Sequence, residues 1–488
     1  MKTLNTISEI KEFFKSNTTP IYFISATNFN LLGIDEWVNN FKYITHIDSF
    51  EGKHPNLFSP KVEIPHEEFT SIEDINNYLL QHPEVIEFIK SRSVNGEVGK
   101  ALFLMFDEKT ELLAKQLGLE VCFPSAQLRT FLDNKVNTNR IAEKAGVACV
   151  PNVLSAVKDY NHLRKVSSHL GDNLVVQTPF GDSGHTTFFI SNEEEFEIHK
   201  EEIIKEREVK IMKRINCYGT AIEGCVTQHG TLVAPLMTEL VGFSELTPYK
   251  GGWCGNEIFA NAFNEDIRDK AKKYTQQFGD QLKKEGYKGY FELDYLIDKD
   301  NGEIYLGELN PRVSGVSSLT NHSKFAMLDV PLFLFHLLEW MEIPYQIDVN
   351  TFVNKWASSE NMDSWSQLVI KHTSTSLELV TKVPESGIWE MKLNGNIQFK
   401  KMDTHRQSVV DDNEAFFFQI TQTDGYFYEG ADLGILLMRG RLMSDDFQLS
   451  ERGKRWIKAI RSQFKSDIID MGNLDEKDLY VSGDFKML

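Results

Sequence analysis

The sequence is poor in the features that mark several common classes of protein. It has only five cysteines, Cys122, Cys149, Cys217, Cys225 and Cys254, scattered and with no C-x-x-C pair. That excludes a disulfide framework or a zinc knuckle and makes reduced thiols the expectation. No eighteen apolar residues run together, and the first twenty alternate polar and apolar groups, so neither membrane insertion nor export is expected and a cytoplasmic location is. Positive charge is in deficit: 52 basic side chains stand against 71 acidic ones, a formal charge of −19. Extended contact with nucleic acid or an anionic membrane needs the opposite balance. Neither the G-x-x-x-x-G-K-[ST] loop nor an H-E-x-x-H pair occurs, which removes the P-loop and the common zinc hydrolases. Internal repeats and low-complexity segments are missing as well.

What is present is a long, apolar-rich chain. Its 488 residues, 41% of them hydrophobic, exceed what one core usually supports, so several domains are expected. Residues 1–120 read as a small α/β unit, with strands at Ile21 to Ala26, near Tyr43 to Ile47 and at Ala101 to Phe106. A short helix runs from Asn134 to Ala145 and stops at Gly146, and a strand over Val147 to Val150 ends at Pro151. Leu174 to Gln177 and Thr186 to Ile190 form a hairpin around a polar turn. Ser191 and Glu194 have the spacing of a capping box for a helix reaching Lys205. A longer helix from Asn264 to Gly286 carries Ile267, Ala271, Tyr274, Phe278 and Leu282 on one face. Another is predicted from Pro311 through Trp340. Beyond Ile343 short alternating runs predict a mostly β domain with a late helix near Lys454 to Phe464.

The segment FELDYLIDKDNGEIYLGELNPR, Phe291 to Arg312, carries the chemistry. Carboxylates sit here inside two apolar strands joined at Asn301-Gly302, a strong hairpin signal. Desolvation makes such carboxylates costly unless they have a partner. A three-residue loop, Asp300 to Gly302, pairs Asp294 with Glu308 on one face; a two-residue loop pairs Asp294 with Leu309 and puts the carboxylates on opposite faces. In the first register Asn310 adds a neutral oxygen and Arg312 a guanidinium. Two close carboxylates and an amide oxygen suit Mg²⁺, whose shell is completed by water and nucleotide phosphates.

These residues resemble the ATP-grasp carboxylate-amine ligases, a superfamily that includes D-alanine:D-alanine ligase, biotin carboxylase and L-amino acid ligases. The Asp…Glu-x-Asn pattern matches Asp294, Glu308 and Asn310, and Asn-Pro-Arg matches Asn310, Pro311 and Arg312. The resemblance covers roughly Cys122 to Trp340. It implies an α/β (α+β) ATP-grasp fold in three parts: an N-terminal α/β pre-ATP-grasp domain at 1–120, the nucleotide-binding and catalytic domain at 121–342, and a C-terminal mostly β domain at 343–488.

The same resemblance implies ATP and Mg²⁺ as cofactors, with Mn²⁺ as an alternative. Metal ligation falls to Asp294, Glu308 and Asn310, and catalysis to Arg312 and Asn310. Nucleotide contacts fall to Lys135, Gln177, Gly181, Ser183, Gly184, Lys213, Arg214, Ile215 and Glu223. Glycines in the 181–184 turn let backbone N–H groups close on phosphate oxygens. Glu245, Lys250 and Trp253 are the candidate substrate contacts. One departure stands out: Gln177 occupies the position where the family carries a strand lysine, leaving Lys135, His185 or Lys213 to compensate. The implied activity joins a carboxylate to an amine through an acyl phosphate, on an amino acid or small peptide. Its partners are then small molecules, with neither nucleic acid nor membrane, and a homodimer is compatible with it. The alternatives are a biotin-carboxylase-like carboxylation and a nucleotide-binding regulator without turnover.

Overall fold

Ile21–Ser25 is buried at every position, the pattern of a strand covered on both faces, and it sits at the centre of a parallel sheet. In the computed structural model, which describes residues 2–181 and 186–469, the sheet order is Leu57–Phe58, Phe41–Thr45, Ile21–Ser25, Lys100–Phe103, Glu120–Val121. The chain builds outward from Ile21–Ser25 in one direction and then crosses to the other side. The carboxyl ends of Ile21–Ser25 and Lys100–Phe103 therefore flank a topological switch point, where open α/β sheets form crevices. Asn30, Leu104 and Met105, which follow those strands, line the main cavity.

A second sheet is antiparallel, ordered Asn152–Ser155, Val209–Lys213, Leu174–Gln177, Thr187–Ile190. One face, with Val176 and Ile211, packs on Leu163, Phe196 and Ile203. The other carries Val175 and Met212 toward Val150, Ile215 and Leu296. Two expectations need correcting here. The strand lies after Pro151, not before it: residues 147–150 run instead beside the largest sheet, where Leu306 N–H donates to Ala148 O at 2.8 Å. The helix cap is Asn192, which accepts from Glu195 N, while Glu195 accepts from Ser191 N. That helix is also broken at His199, into Glu193–Ile198 and Lys200–Ile204.

The third sheet is antiparallel and, among the described residues, has eleven strands: ten in one path, and Gly230–Val233 paired beside it with Cys217–Thr227. Ile304–Asn310 forms one edge, followed by Gly289–Asp298, Cys217–Thr227, Met237–Val241 and Trp253–Ile258. The sheet then continues into the C-terminal part through Trp365–Lys371, Asp432–Arg439, Glu414–Gln419, Gly387–Met391 and Ile397–Lys401. Helix Glu265–Lys284, capped by Asn264, buries Ile267, Ala271, Phe278 and Leu282 of the predicted face and leaves Tyr274 half-buried. The helix expected through Trp340 is three pieces, Ser317–Asn321, Lys324–Leu328 and Leu332–Trp340. Pro331 sits immediately before the last and cannot extend a preceding helix. The late helix is Glu451–Arg461.

Candidate active site

These three sheets border one cavity of about 1070 Å³; a fourth, small sheet of Tyr426–Phe427, Glu378–Lys382 and Lys465–Ile468 lies away from it. Its polar floor is the hairpin of Gly289–Asp298 and Ile304–Asn310. Asp294 and Glu308 are directly opposed there, as the first register requires, but by a different route. The turn is Lys299 to Gly302, closed by Gly302 N–H to Asp298 O at 2.8 Å and Asp298 N–H to Glu303 O at 2.9 Å, with Gly302 left-handed at φ 72°. Near the turn Tyr295 pairs with Leu306, a register that would set Asp294 against Gly307 and turn Glu308 to the other face. A β-bulge between Asp294 and Tyr295 leaves Gly307 unpaired and restores Glu308 to the face of Asp294. One inserted glycine thus brings the two carboxylates together.

Asn310 faces Glu292 in the ladder. Its amide nitrogen donates to Glu292 Oε2 at 2.6 Å and more distantly to Asp294 Oδ2 at 3.4 Å, while its oxygen accepts from Arg312 at 2.8 Å. In this arrangement Asn310 links the acidic face to Arg312, and its oxygen is already engaged. Lys135, at the first turn of a helix capped by Asn134, is 4% exposed. Its ammonium bonds Glu308 Oε1 at 2.6 Å and Gly181 O at 2.7 Å. It therefore connects the hairpin floor to the Gly181 turn above.

Two acidic residues absent from the predicted set complete the cluster. Glu292 and Glu239 both line the cavity. Glu239 lies over Gly219, where an added Cβ would stand 2.5 Å from Glu239 Oε2. Burial, then the charges of Asp294 and Glu308, push the Glu239 carboxyl well up. Burial and Asp294 do the same to Glu292, and burial first of all raises Asp294 to about 6. Glu292 Oε1 has no hydrogen-bond partner among the described residues. The excess of carboxylates over cations at this floor fits a divalent cation. Among the described residues, no three His, Cys, Asp or Glu side chains could hold a metal ion by themselves. The donor set therefore suits Mg²⁺ that takes part of its shell from water and phosphate oxygens.

At the other end Val150, Val175, Met212, Ile215 and Leu296 form an apolar slot between two sheets. Apolar side chains from both sides can pack against the faces of a planar aromatic ring. Gln177, Gly181, Lys213, Lys250 and Trp253 also line the cavity. Gln177 donates to Thr187 Oγ1 at 3.1 Å, across the hairpin. The Trp253 ring rests against Gly315, where any side chain would collide with it, and its Nε1 donates to Asn256 at 2.8 Å.

Three candidates are not brought to the cavity. Glu223 is fully buried in Cys217–Thr227 and accepts from Tyr290 OH; burial raises it to about 7. It is a core carboxyl, not a ribose contact. Glu245 pairs with Lys454 at 3.6 Å, outside the lining. Arg214 stacks over Phe189, 5.0 Å from the ring centroid. Ser183, Gly184 and His185 lie outside the described residues. Cys254 is buried, its thiol raised to about 12 and bonded to Leu240 O, which leaves it inert.

The fold has close counterparts among solved structures. The biotin carboxylase domain of Hydrogenobacter thermophilus 2-oxoglutarate carboxylase, a dimer with MgADP, ADP and bicarbonate, superposes with a TM-score of 0.59 at 11% identity, over 93% of this chain and 92% of that one. The chain has the ATP-grasp fold. A second ATP-grasp match, N5-carboxyaminoimidazole ribonucleotide synthetase with ADP, gives 0.56 at 12% identity over 91% and 98% of the two chains. Campylobacter jejuni biotin carboxylase gives 0.58 at 12% identity over 92% of each. No protein-family profile matches the chain, and neither does any protein of curated function. The sequence alone does not single out Glu239 or Glu292. Glu292 was within reach of it, since residues two apart on a strand share a face with Asp294; Glu239 carries no local signal.

Proposed function

We propose that the protein is an ATP-dependent, ADP-forming ligase that activates a carboxylate as an acyl phosphate and transfers it to an amine. One observation carries the reading: a single cavity joins an apolar slot to a floor where Asp294 and Glu308 are opposed beside Lys135 and Arg312. The solved structures with this fold that bind ADP, or MgADP and bicarbonate, support it. Asp294 and Glu308 would hold Mg²⁺, which would supply charge neutralisation for phosphoryl transfer.

The chain's own residues do the rest. Val175, Met212 and Leu296 hold the base and exclude water from it. Lys135 fixes Glu308 and the Gly181 carbonyl, setting the height of the turn over the floor. Arg312, held by Asn310, directs its remaining N–H groups at a substrate carboxylate or a developing oxyanion. Trp253, Lys250 and the residues after the parallel strands, Asn30 and Met105, form the wall open to the second substrate. An amino acid or small peptide fits a site with both a cation and carboxylates near its wall. The division at 1–120, 121–342 and 343–488, and a homodimer, belong to the same proposal.

The test is ADP release that needs Mg²⁺ and a carboxylate–amine pair. Formation of AMP would sink the scheme. Product from bicarbonate and biotin would move the protein to the carboxylase reading. Nucleotide binding with no product across a broad screen would favour a regulator, a reading that the uncharged Gln177 motivates.

A further inference from the structure

Four carboxylates, Glu239, Glu292, Asp294 and Glu308, face the end of the cavity that would receive phosphates. Four carboxylates and a polyphosphate together outweigh the charge of one Mg²⁺ ion, so fixed positive charge close by favours binding there. Position 177, on the wall, is neutral, and Lys135 is already spent on Glu308. Directly across the ladder from Gln177 is Lys210. Opposed residues of an antiparallel pair project from the same face, so Lys210 points to the cavity side of its sheet, with Val175, Gln177 and Met212. It is 1% exposed, and among the described residues its ammonium has one hydrogen bond, a long one of 3.4 Å to Gly307 O. An ammonium carries three donors, and a buried one normally satisfies them. Gly307 is the bulged residue that turns Glu308 into the site. The two lysines therefore reach the same two-residue stretch, Lys135 at the Glu308 carboxylate and Lys210 at the Gly307 carbonyl.

We infer that Lys210 supplies, from the neighbouring strand and from within the wall, the positive charge that position 177 lacks, and so sets the cavity's preference for nucleoside polyphosphates over the nucleoside. The role rests on the nucleotide-binding reading above. Lys210 is a positioning residue: it acts through its charge in a site of low dielectric, where a few ångströms of protein screen it weakly.

The experiment measures binding of ADP with Mg²⁺, and of adenosine, by calorimetry in the full chain. Lys210→Met keeps most of the length of the side chain and removes the charge. It is expected to weaken ADP by at least about tenfold while leaving adenosine within about twofold. Lys210→Arg should keep most of the ADP affinity. Gln177→Lys added to Lys210→Met should recover it by returning the charge to the wall one strand away. Equal losses for ADP and adenosine would assign Lys210 a purely structural role and overturn the inference. So would unchanged ADP binding in a folded Lys210→Met protein, or failure of Gln177→Lys to recover any of a selective ADP loss. Wild-type protein that binds neither ligand overturns the nucleotide reading itself and this inference with it.

Discussion

Two groups of buried charge in the eleven-stranded sheet are treated in opposite ways. In its C-terminal half Lys371 and Asp432 pair at 2.5 Å with both side chains 2% exposed. Nearby, fully buried Glu257 accepts from the backbone N–H groups of Leu442 and Met443 and from Ser366 Oγ, with Arg441 beside it. Every charge there is answered inside the fold. At the other end of the same sheet four carboxylates share one lysine and an arginine held at second hand through Asn310, and one Glu292 oxygen is left without a partner. A buried charge that is closed on itself builds structure; one left open marks a place for a ligand.

The largest effect should come from removing the open charge. Asp294→Asn with Glu308→Gln is expected to lower Mg²⁺-dependent ADP release by at least about 10²-fold while the folded state persists, measured by coupled assay alongside circular dichroism. The closed pair should respond in the reverse manner. Lys371→Met leaves Asp432 buried and unpaired and should cost about 3–5 kcal/mol in denaturant unfolding. Mg²⁺ affinity in whatever remains folded should be unchanged. If Lys371→Met instead impairs Mg²⁺ binding as strongly as the double variant, the two regions are not distinct.

The pH dependence sharpens the contrast. Burial raises the Asp294 carboxyl from its ordinary 3.8 to about 6, so without metal the folded state holds that proton more tightly than the unfolded chain. Its contribution to stability is present below about 4 and is lost as pH rises through 6. Metal-free Asp294→Asn should therefore be more stable than wild type at pH 7.5, by about 1–3 kcal/mol, and converge with it near pH 4. Added Mg²⁺ should close the gap at pH 7.5 by stabilising only the wild type. The smallest effect tests the cradle of Glu239: Gly219→Ala, which crowds that carboxylate, should weaken Mg²⁺ by about two- to fivefold with little change in the denaturation midpoint.

Local signals carried much of the architecture. The helix starts at Asn134 and Asn264, the stops at Gly146 and Gly286 and the hairpin of Leu174–Gln177 with Thr187–Ile190 all follow from short-range chemistry, and the structure has them, with both asparagines as caps and both glycines left-handed. Where proline cut a segment, the reading placed the element on the wrong side of it at Pro151 and ran through it at Pro331. Which side of a proline a strand or helix falls on depends on what the neighbouring segment packs against.

The sequence alone determined the chemistry on offer at the floor: carboxylates at Asp294 and Glu308, Asn310 and Arg312 beyond them, and a neutral Gln177 on the wall. Whether Asp294 and Glu308 meet was a matter of register, and the turn by itself gives the wrong one; the bulge at Gly307 corrects it. Only the tertiary structure brought Glu239 from another strand, sent Glu223 into the core and set Lys210 behind Gln177. Short-range chemistry fixes what each strand carries. Which strands lie side by side is decided by burial across the whole sheet, and that is where the site is assembled.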